Sequence, residues 1–168
     1  TWDIFSKNEK AIQEDFALIT SERTSLPIPK TVNVINPENI FIEEGAQLTF
    51  ATLNATTGPI YIGKNAVIME GCLVRGSLAL CENAVLKMGA KVYGATTVGP
   101  NCKVGGEVGN SVLFQNTNKG HEGYLGNSVL GEWCNLGADT NNSNLKNNYA
   151  EVKLWSYEQE RFAKTGLQ

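Results

Sequence analysis

The stretch that decides the fold runs from Ile62 to Gly109: IGKNAVIMEGCLVRGSLALCENAVLKMGAKVYGATTVGPNCKVGGEVG. Every sixth residue from its start is aliphatic: Ile62, Ile68, Val74, Leu80, Leu86, Val92, Val98 and Val104. Four residues after each come Ala66, Cys72, Leu78, Ala84, Ala90, Thr96, Cys102 and Val108, which are mostly small. A six-residue unit is too short for a helix plus a strand, but it fits one short strand and one tight turn. Three units close a triangular coil of about 18 residues, and coils stack about 4.8 Å apart, as strands do in any sheet. The aliphatic residue then fills the prism interior, and the small one fits where the backbone turns. Gly63, Asn65, Gly71, Gly89, Gly99 and Asn101 fall at the corners, where positive φ is expected. The period predicts an all-β fold, a parallel β-helix of hexapeptide repeats.

Working outward, Ile42 and Leu48 carry the same pattern, and Asn54 to Pro59 shift the register by two residues. Beyond the run, Tyr124, Leu130 and Leu136 resume the step, followed at plus four by Ser128, Cys134 and Thr140. Between Val112 and Gly123 the step is lost. The polar stretch QNTNKGHEG there reads as a loop ejected from the solenoid over residues 113–123, and loops on rigid scaffolds commonly carry function. At the N-terminus, Ser6-Lys7-Asn8-Glu9 has the form of a capping box, and Ile12, Phe16 and Ile19 share one helical face. A short N-terminal helix is expected from Lys7 to Ile19, ending before Pro27 and Pro29. It would cover the open end of the coils, as terminal caps do in solenoids, or dock on an upstream domain. Residues 149–155 alternate like a strand. The organisation read is helix and Pro-containing linker over 1–39, β-helix over 40–145, and strand plus tail over 146–168.

Composition narrows the function. Apolar residues make up 42% and charged residues 18%, an ordinary folded balance that argues against disorder. Net charge is −3 with no Lys/Arg cluster, so neither nucleic acid nor an anionic membrane is an expected partner. No apolar run approaches the roughly 20 residues of a membrane helix. The start lacks the basic and apolar segments of a signal peptide, and it opens at Thr1, as a fragment or processed chain would. The four cysteines form no CxxC pair, and His121 is the single histidine, so no metal site is expected. Cys72, Cys102 and Cys134 share one repeat position, which favours small buried thiols and a reducing cytoplasm.

His121 lies between Gly120 and Gly123 in the interrupted stretch. An imidazole titrates near neutral pH, which suits a general base taking a proton from an amine or hydroxyl. The segment GHEGYLGNSVLGEWCNLGADTNNSN, residues 120–144, resembles the acetyltransferase domain of the bifunctional N-acetylglucosamine-1-phosphate uridylyltransferase and glucosamine-1-phosphate acetyltransferase family. That family carries a stretch of the form GHxxYLGDAxIGxxxNIGAGTxxxN. The resemblance implies a left hand for the β-helix, against the usual right-handed parallel crossover. It implies His121 as the base that deprotonates a sugar amine. It implies Tyr124, Asn135 and Asn144 as substrate-binding residues, and Ala138 as the residue whose backbone contacts the acyl donor. The co-substrate implied is acetyl-CoA, and the acceptor is an amino-sugar 1-phosphate. The implied assembly is a homotrimer with sites shared between neighbouring prisms, in a cytoplasmic enzyme with a nucleotidyltransferase domain upstream.

The chain departs from the family pattern at several positions. Asp139 stands where the family has the glycine of GAGT, and Leu145 replaces a tyrosine. Phe114-Gln115 lies where a lysine pair is expected, and Lys119 is near but out of register. These departures keep a second reading open, in which the β-helix is a non-catalytic trimerisation or regulatory module of a sugar-1-phosphate nucleotidyltransferase. Acyl transfer to a different sugar or to an amino acid is a third. A γ-type carbonic anhydrase would need three histidines for zinc, and one is present.

Overall fold

The computed structural model describes residues 2–142 and 147–166. Short parallel strands wind into a left-handed triangular solenoid with three faces. Face A carries Asn33–Ile35, Thr52–Asn54, Leu73–Arg75, Lys91–Tyr93, Glu107–Gly109 and Tyr124–Gly126. Face B carries Ile40–Ile42, Ile60–Ile62, Leu78–Leu80, Thr96–Val98, Val112–Leu113 and Val129–Leu130. Face C carries Gln47–Leu48, Val67–Ile68, Val85–Leu86, Lys103–Val104 and Asn118–Lys119. The first strand, at Asn33, already belongs to the solenoid, so the coils begin ahead of residue 40.

Parallel register stacks equivalent residues into interior columns. Leu48, Ile68, Leu86 and Val104 form the column of face C. All eight aliphatic residues of the six-residue step are at most 3% exposed, so the period marks the core. The small positions are buried as well, Cys72 and Cys102 among them, and all four cysteines are free thiols. At the corners, Asn65, Gly71, Gly89 and Asn101 have positive φ, as expected. Gly63 and Gly99 do not. They are glycines because the next coil passes close: a Cβ on Gly63 would lie 2.8 Å from the Cys81 carbonyl carbon.

Coil length varies along the axis. Val74 pairs with Val92, 18 residues on, but Val92 pairs with Val108, 16 on, and Val98 with Leu113, 15 on. Gly105-Gly106 turns its corner in fewer residues, so Val108 joins the aliphatic column of face A rather than the small position expected of it. Upstream, Leu53 pairs with Val74, 21 residues on, with the extra chain at residues 55–59, where the register shift is read in the sequence.

The stretch 113–123 is not ejected, contrary to the sequence reading. Leu113 pairs with Val98, and Asn118–Lys119 pairs with Lys103–Val104. The coil hides its period because polar residues occupy interior positions. Thr117 is buried at the small position, its hydroxyl donating to the Gly131 carbonyl at 2.6 Å. Lys119, only 2% exposed, takes the aliphatic position above Val104. On face A the interior residue is Leu125, paired with Val108, so Tyr124 is the outward neighbour and not the resumption of the step. A five-residue step from Leu125 to Leu130 explains the slip.

Two helices precede the coils, α1 (Asp3–Ser6) and α2 (Asn8–Thr20). The capping box does not form, because Ser6 ends α1 and Lys7, itself in the right-handed region, starts α2 without a side-chain cap. Phe5, Asn8 and Ile12 make the buried face, and Ile19 is exposed. The helix docks on the outside of face B rather than over the open end. The Asn8 amide donates to the Ala95 carbonyl at 2.7 Å and accepts from the Thr97 hydroxyl at 2.9 Å. The segment after α2 edges face B instead, with the Leu26 N–H donating to the Ile42 carbonyl at 2.9 Å, and Ile28 and Val32 packing on the core. At the other end, Lys153–Ser156 and Arg161–Lys164 form an antiparallel hairpin where one strand and a tail were expected. Its second strand escaped notice because four residues carry little periodicity.

Candidate active site

Of the sequence-derived residues, His121 and Ala138 lie at the corner between faces C and A on two successive coils. Residues 120–123 turn the chain out of the strand Asn118–Lys119, and residues 137–140 turn it one coil further on. The two corners are stacked: the Asp139 N–H donates to the Glu122 carbonyl at 3.0 Å. Gly123 has φ +121, and a Cβ there would overlap the Thr140 carbonyl, so glycine is what allows the corners to touch. His121 and Ala138 therefore share one prism edge, both exposed. The His121 imidazole has no hydrogen-bond partner among the described residues, which leaves both ring nitrogens open to a ligand.

Tyr124 and Asn135 flank this edge on opposite faces. Tyr124 begins the strand of face A, half-buried, with its phenol leaning over Gly126 and so away from the corner. The edge of that strand is satisfied by side chains. The Tyr124 N–H donates to Asn141 Oδ1 at 2.7 Å, and the Gly126 N–H to Asn142 Oδ1 at 2.9 Å. Asn135, exposed, pairs with Asn118 on face C and accepts from its Nδ2 at 2.8 Å, and its own Nδ2 has no partner among the described residues. Asn144 and Leu145 lie outside the described residues. The structure thus brings His121 and Ala138 together and sets Tyr124 and Asn135 at the margins.

Charge at the edge is mixed. Glu122 follows His121 and meets Lys91, two coils below, at 3.8 Å, while Asp139 stands on the corner above. Lys119 is the residue that sequence reasoning placed out of register. Its ammonium is inside the prism and donates to the Gly105 carbonyl at 3.0 Å and the His121 carbonyl at 2.7 Å. Burial pulls its pKa below the usual lysine value, Glu122 works against that shift to a smaller extent, and the charge of Lys91 adds to it. The signal that could have found it is its distance of six residues from both Leu113 and Leu125.

A cleft of about 660 Å³ lies elsewhere, on the outside of face A beside α2, lined by Leu73, Arg75, Tyr93 and Glu9 among others. It does not reach His121, whose edge is open surface. Among the described residues no three His, Cys, Asp or Glu side chains gather as a metal would need, and no helix is long and apolar enough to cross a membrane.

No family profile matches the chain. Among curated proteins it is similar to the bifunctional protein GlmU of Thermus thermophilus, 34% identical over 134 residues that take in 65% of this chain and 29% of that protein. The GlmU of Synechococcus elongatus is 29% identical over 134 residues, 67% of this chain and 30% of the relative. That of Wolbachia pipientis is 31% identical over 117 residues, 65% of this chain and 26% of the relative. The chain thus spans about three-tenths of the length of the curated relatives it matches. In its stacked hexapeptide coils, and over about two thirds of its length, the chain is similar to the C-terminal part of the bifunctional GlmU proteins.

Proposed function

We propose that the chain is the acyltransferase-like domain of a cytoplasmic sugar nucleotidyltransferase, moving an acetyl group from acetyl-CoA to an amino-sugar 1-phosphate with His121 as the general base. The observation that carries this reading is the exposed His121 imidazole on the same prism edge as Ala138, inside the segment that resembles the family motif. His121 takes a proton from the sugar ammonium, freeing the nitrogen lone pair to attack the thioester carbonyl. The tetrahedral oxyanion needs a donor. The Ala138 N–H meets no protein acceptor among the described residues and points the role at the upper corner. Collapse breaks the C–S bond, the imidazolium returns its proton to the departing thiolate, and the neutral imidazole then takes the second proton from the acylated nitrogen, leaving the neutral amide, and passes it to water.

An edge with no walls cannot exclude water or clamp a sugar phosphate. A second prism of a homotrimer would supply those walls, with Tyr124 and Asn135 beside the groove between copies, and Asn144 keeps its substrate-binding role from the resemblance alone. The non-catalytic module is the second reading, favoured by Glu122 and Asp139 on stacked corners, since two carboxylates repel a phosphate. A thiol-release assay with acetyl-CoA and glucosamine 1-phosphate decides between them. Loss of a general base costs about 10²- to 10⁴-fold in rate, so turnover that collapses by that factor in His121→Ala supports the transferase. Absence of turnover in folded, trimeric parent protein moves the assignment to the module.

A further inference from the structure

Lys119 occupies a position that the fold itself fills with apolar side chains. Leu48, Ile68, Leu86 and Val104 precede it in the face C column, and Leu136 packs against the core one coil beyond. Methionine would fill the same volume with no charge to desolvate, and burying a charge without a full partner set is unfavourable. An ammonium has three donors, and the carbonyls of Gly105 and His121 take two of them. Those two carbonyls belong to stacked corners of successive coils. The lower corner is Gly105-Gly106, shaped for close approach: a Cβ on Gly105 would meet the Gly120 carbonyl oxygen at 2.7 Å, and one on Gly106 the His121 carbonyl oxygen at 2.9 Å. The corner carrying His121 therefore rests on a bare backbone shelf, tied to it from inside by one side chain.

We propose that Lys119 is a positioning residue, whose buried ammonium bridges the Gly105 and His121 carbonyls and so fixes the corner from which the His121 imidazole projects. Its role for turnover rests on the base reading given above; its role in holding the corner does not. Holding the His121 carbonyl constrains the ψ of that residue and the placement of the backbone that carries its Cβ, and the imidazole itself has no hydrogen-bond partner among the described residues.

The test is Lys119→Met, which suits the column and removes the bridge. Amide hydrogen exchange is followed at Gly105, Glu107 and Asp139, whose N–H groups donate to the carbonyls of Lys119, Gly123 and Glu122. Val67, bonded to the Ala84 carbonyl in distant coils, is the internal reference. The expected result is a thermal midpoint equal to or above the parent, with exchange at those three amides faster by about tenfold while Val67 is unchanged. In the thiol-release assay kcat falls by about 10- to 100-fold with KM held within about twofold, as for a displaced catalytic group. Parent-like exchange at the corner amides overturns the proposal. So does failure of the variant to fold, which would make the ammonium a requirement of the coil stack. The exchange comparison needs no turnover, so a His121→Ala protein as active as the parent removes the base reading and leaves this result decisive.

Discussion

Gly123→Ala and Gly89→Ala are the same chemical change at two corners of the same edge, and the structure separates their consequences. Gly89 has φ +72, and a Cβ there meets nothing within 4 Å. Alanine pays only the left-handed conformation, about 1 kcal/mol. Gly123 has φ +121, outside even the left-handed helical well, and its Cβ would overlap the Thr140 carbonyl oxygen and lie 3.1 Å from the carbonyl carbon. Backbone strain of this kind costs about 1–3 kcal/mol. The overlap is with backbone, so residues 137–140 must also move away. That weakens the Asp139 N–H to Glu122 bond and the Glu107 N–H to Gly123 bond, at about 1 kcal/mol each. The total is about 3–5 kcal/mol for Gly123→Ala. With a urea slope of about 2 kcal/mol/M, the unfolding midpoint falls by about 1.5–2.5 M, against about 0.5 M for Gly89→Ala. Turnover should fall about 100-fold in Gly123→Ala, because Ala138 is carried away from His121, and stay near parental in Gly89→Ala. Equal midpoints for the two variants would refute the stacked-corner geometry.

Two further outcomes follow from burial. Leu80→Ala empties a fully buried position between Ile62 and Val98 and should cost about 3–5 kcal/mol in urea unfolding, whereas Met88→Ala, 69% exposed, should stay within about 0.5 kcal/mol; comparable losses would contradict the columnar core. Alkali should destabilise the fold. Burial lifts the Cys72 and Cys102 thiols above their ordinary 9.0 and Cys81 to about 11, while burial and the Glu43 hydrogen bond lift Tyr61, and the Glu107 hydrogen bond with burial lifts Tyr93, to about 12. Each releases its proton earlier in the unfolded chain, so stability complete below pH 9 drains away toward pH 12. The depressed Lys119 opposes this only below its unfolded value of 10.5. A urea midpoint that is flat from pH 8.5 to pH 11.5, on scales of about 0.3 M, would count against these buried groups.

The architecture was legible in the sequence because its signal is additive. Eight aliphatic residues in one phase, from Ile62 to Val104, each report the same environment, and the structure buries every one of them. The length of each coil was not legible. Gly105-Gly106 reads as two more corner glycines, and only the pairing of Val92 with Val108 and of Val98 with Leu113 reveals that the coil closes early. The same shortening concealed the coil that carries His121, which looked like an ejected loop because Thr117 and Lys119 face inward.

The candidate site divides along the same line. The segment from Gly120 to Asn144 by itself determined which residues to consider, since motif and spacing are properties of the chain. Their mutual placement was decided by stacking. His121 and Ala138 are 17 residues apart in sequence and meet because that is one turn of this part of the solenoid, as in the pairing of Asn118 with Asn135. Tyr124 leans over Gly126, Lys119 turns its charge inward to two carbonyls, and α2 lies along face B. Each depends on a neighbour one coil away or, for Asn8, 87 residues away, and a periodic sequence specifies that its coils stack without specifying what each side chain meets there.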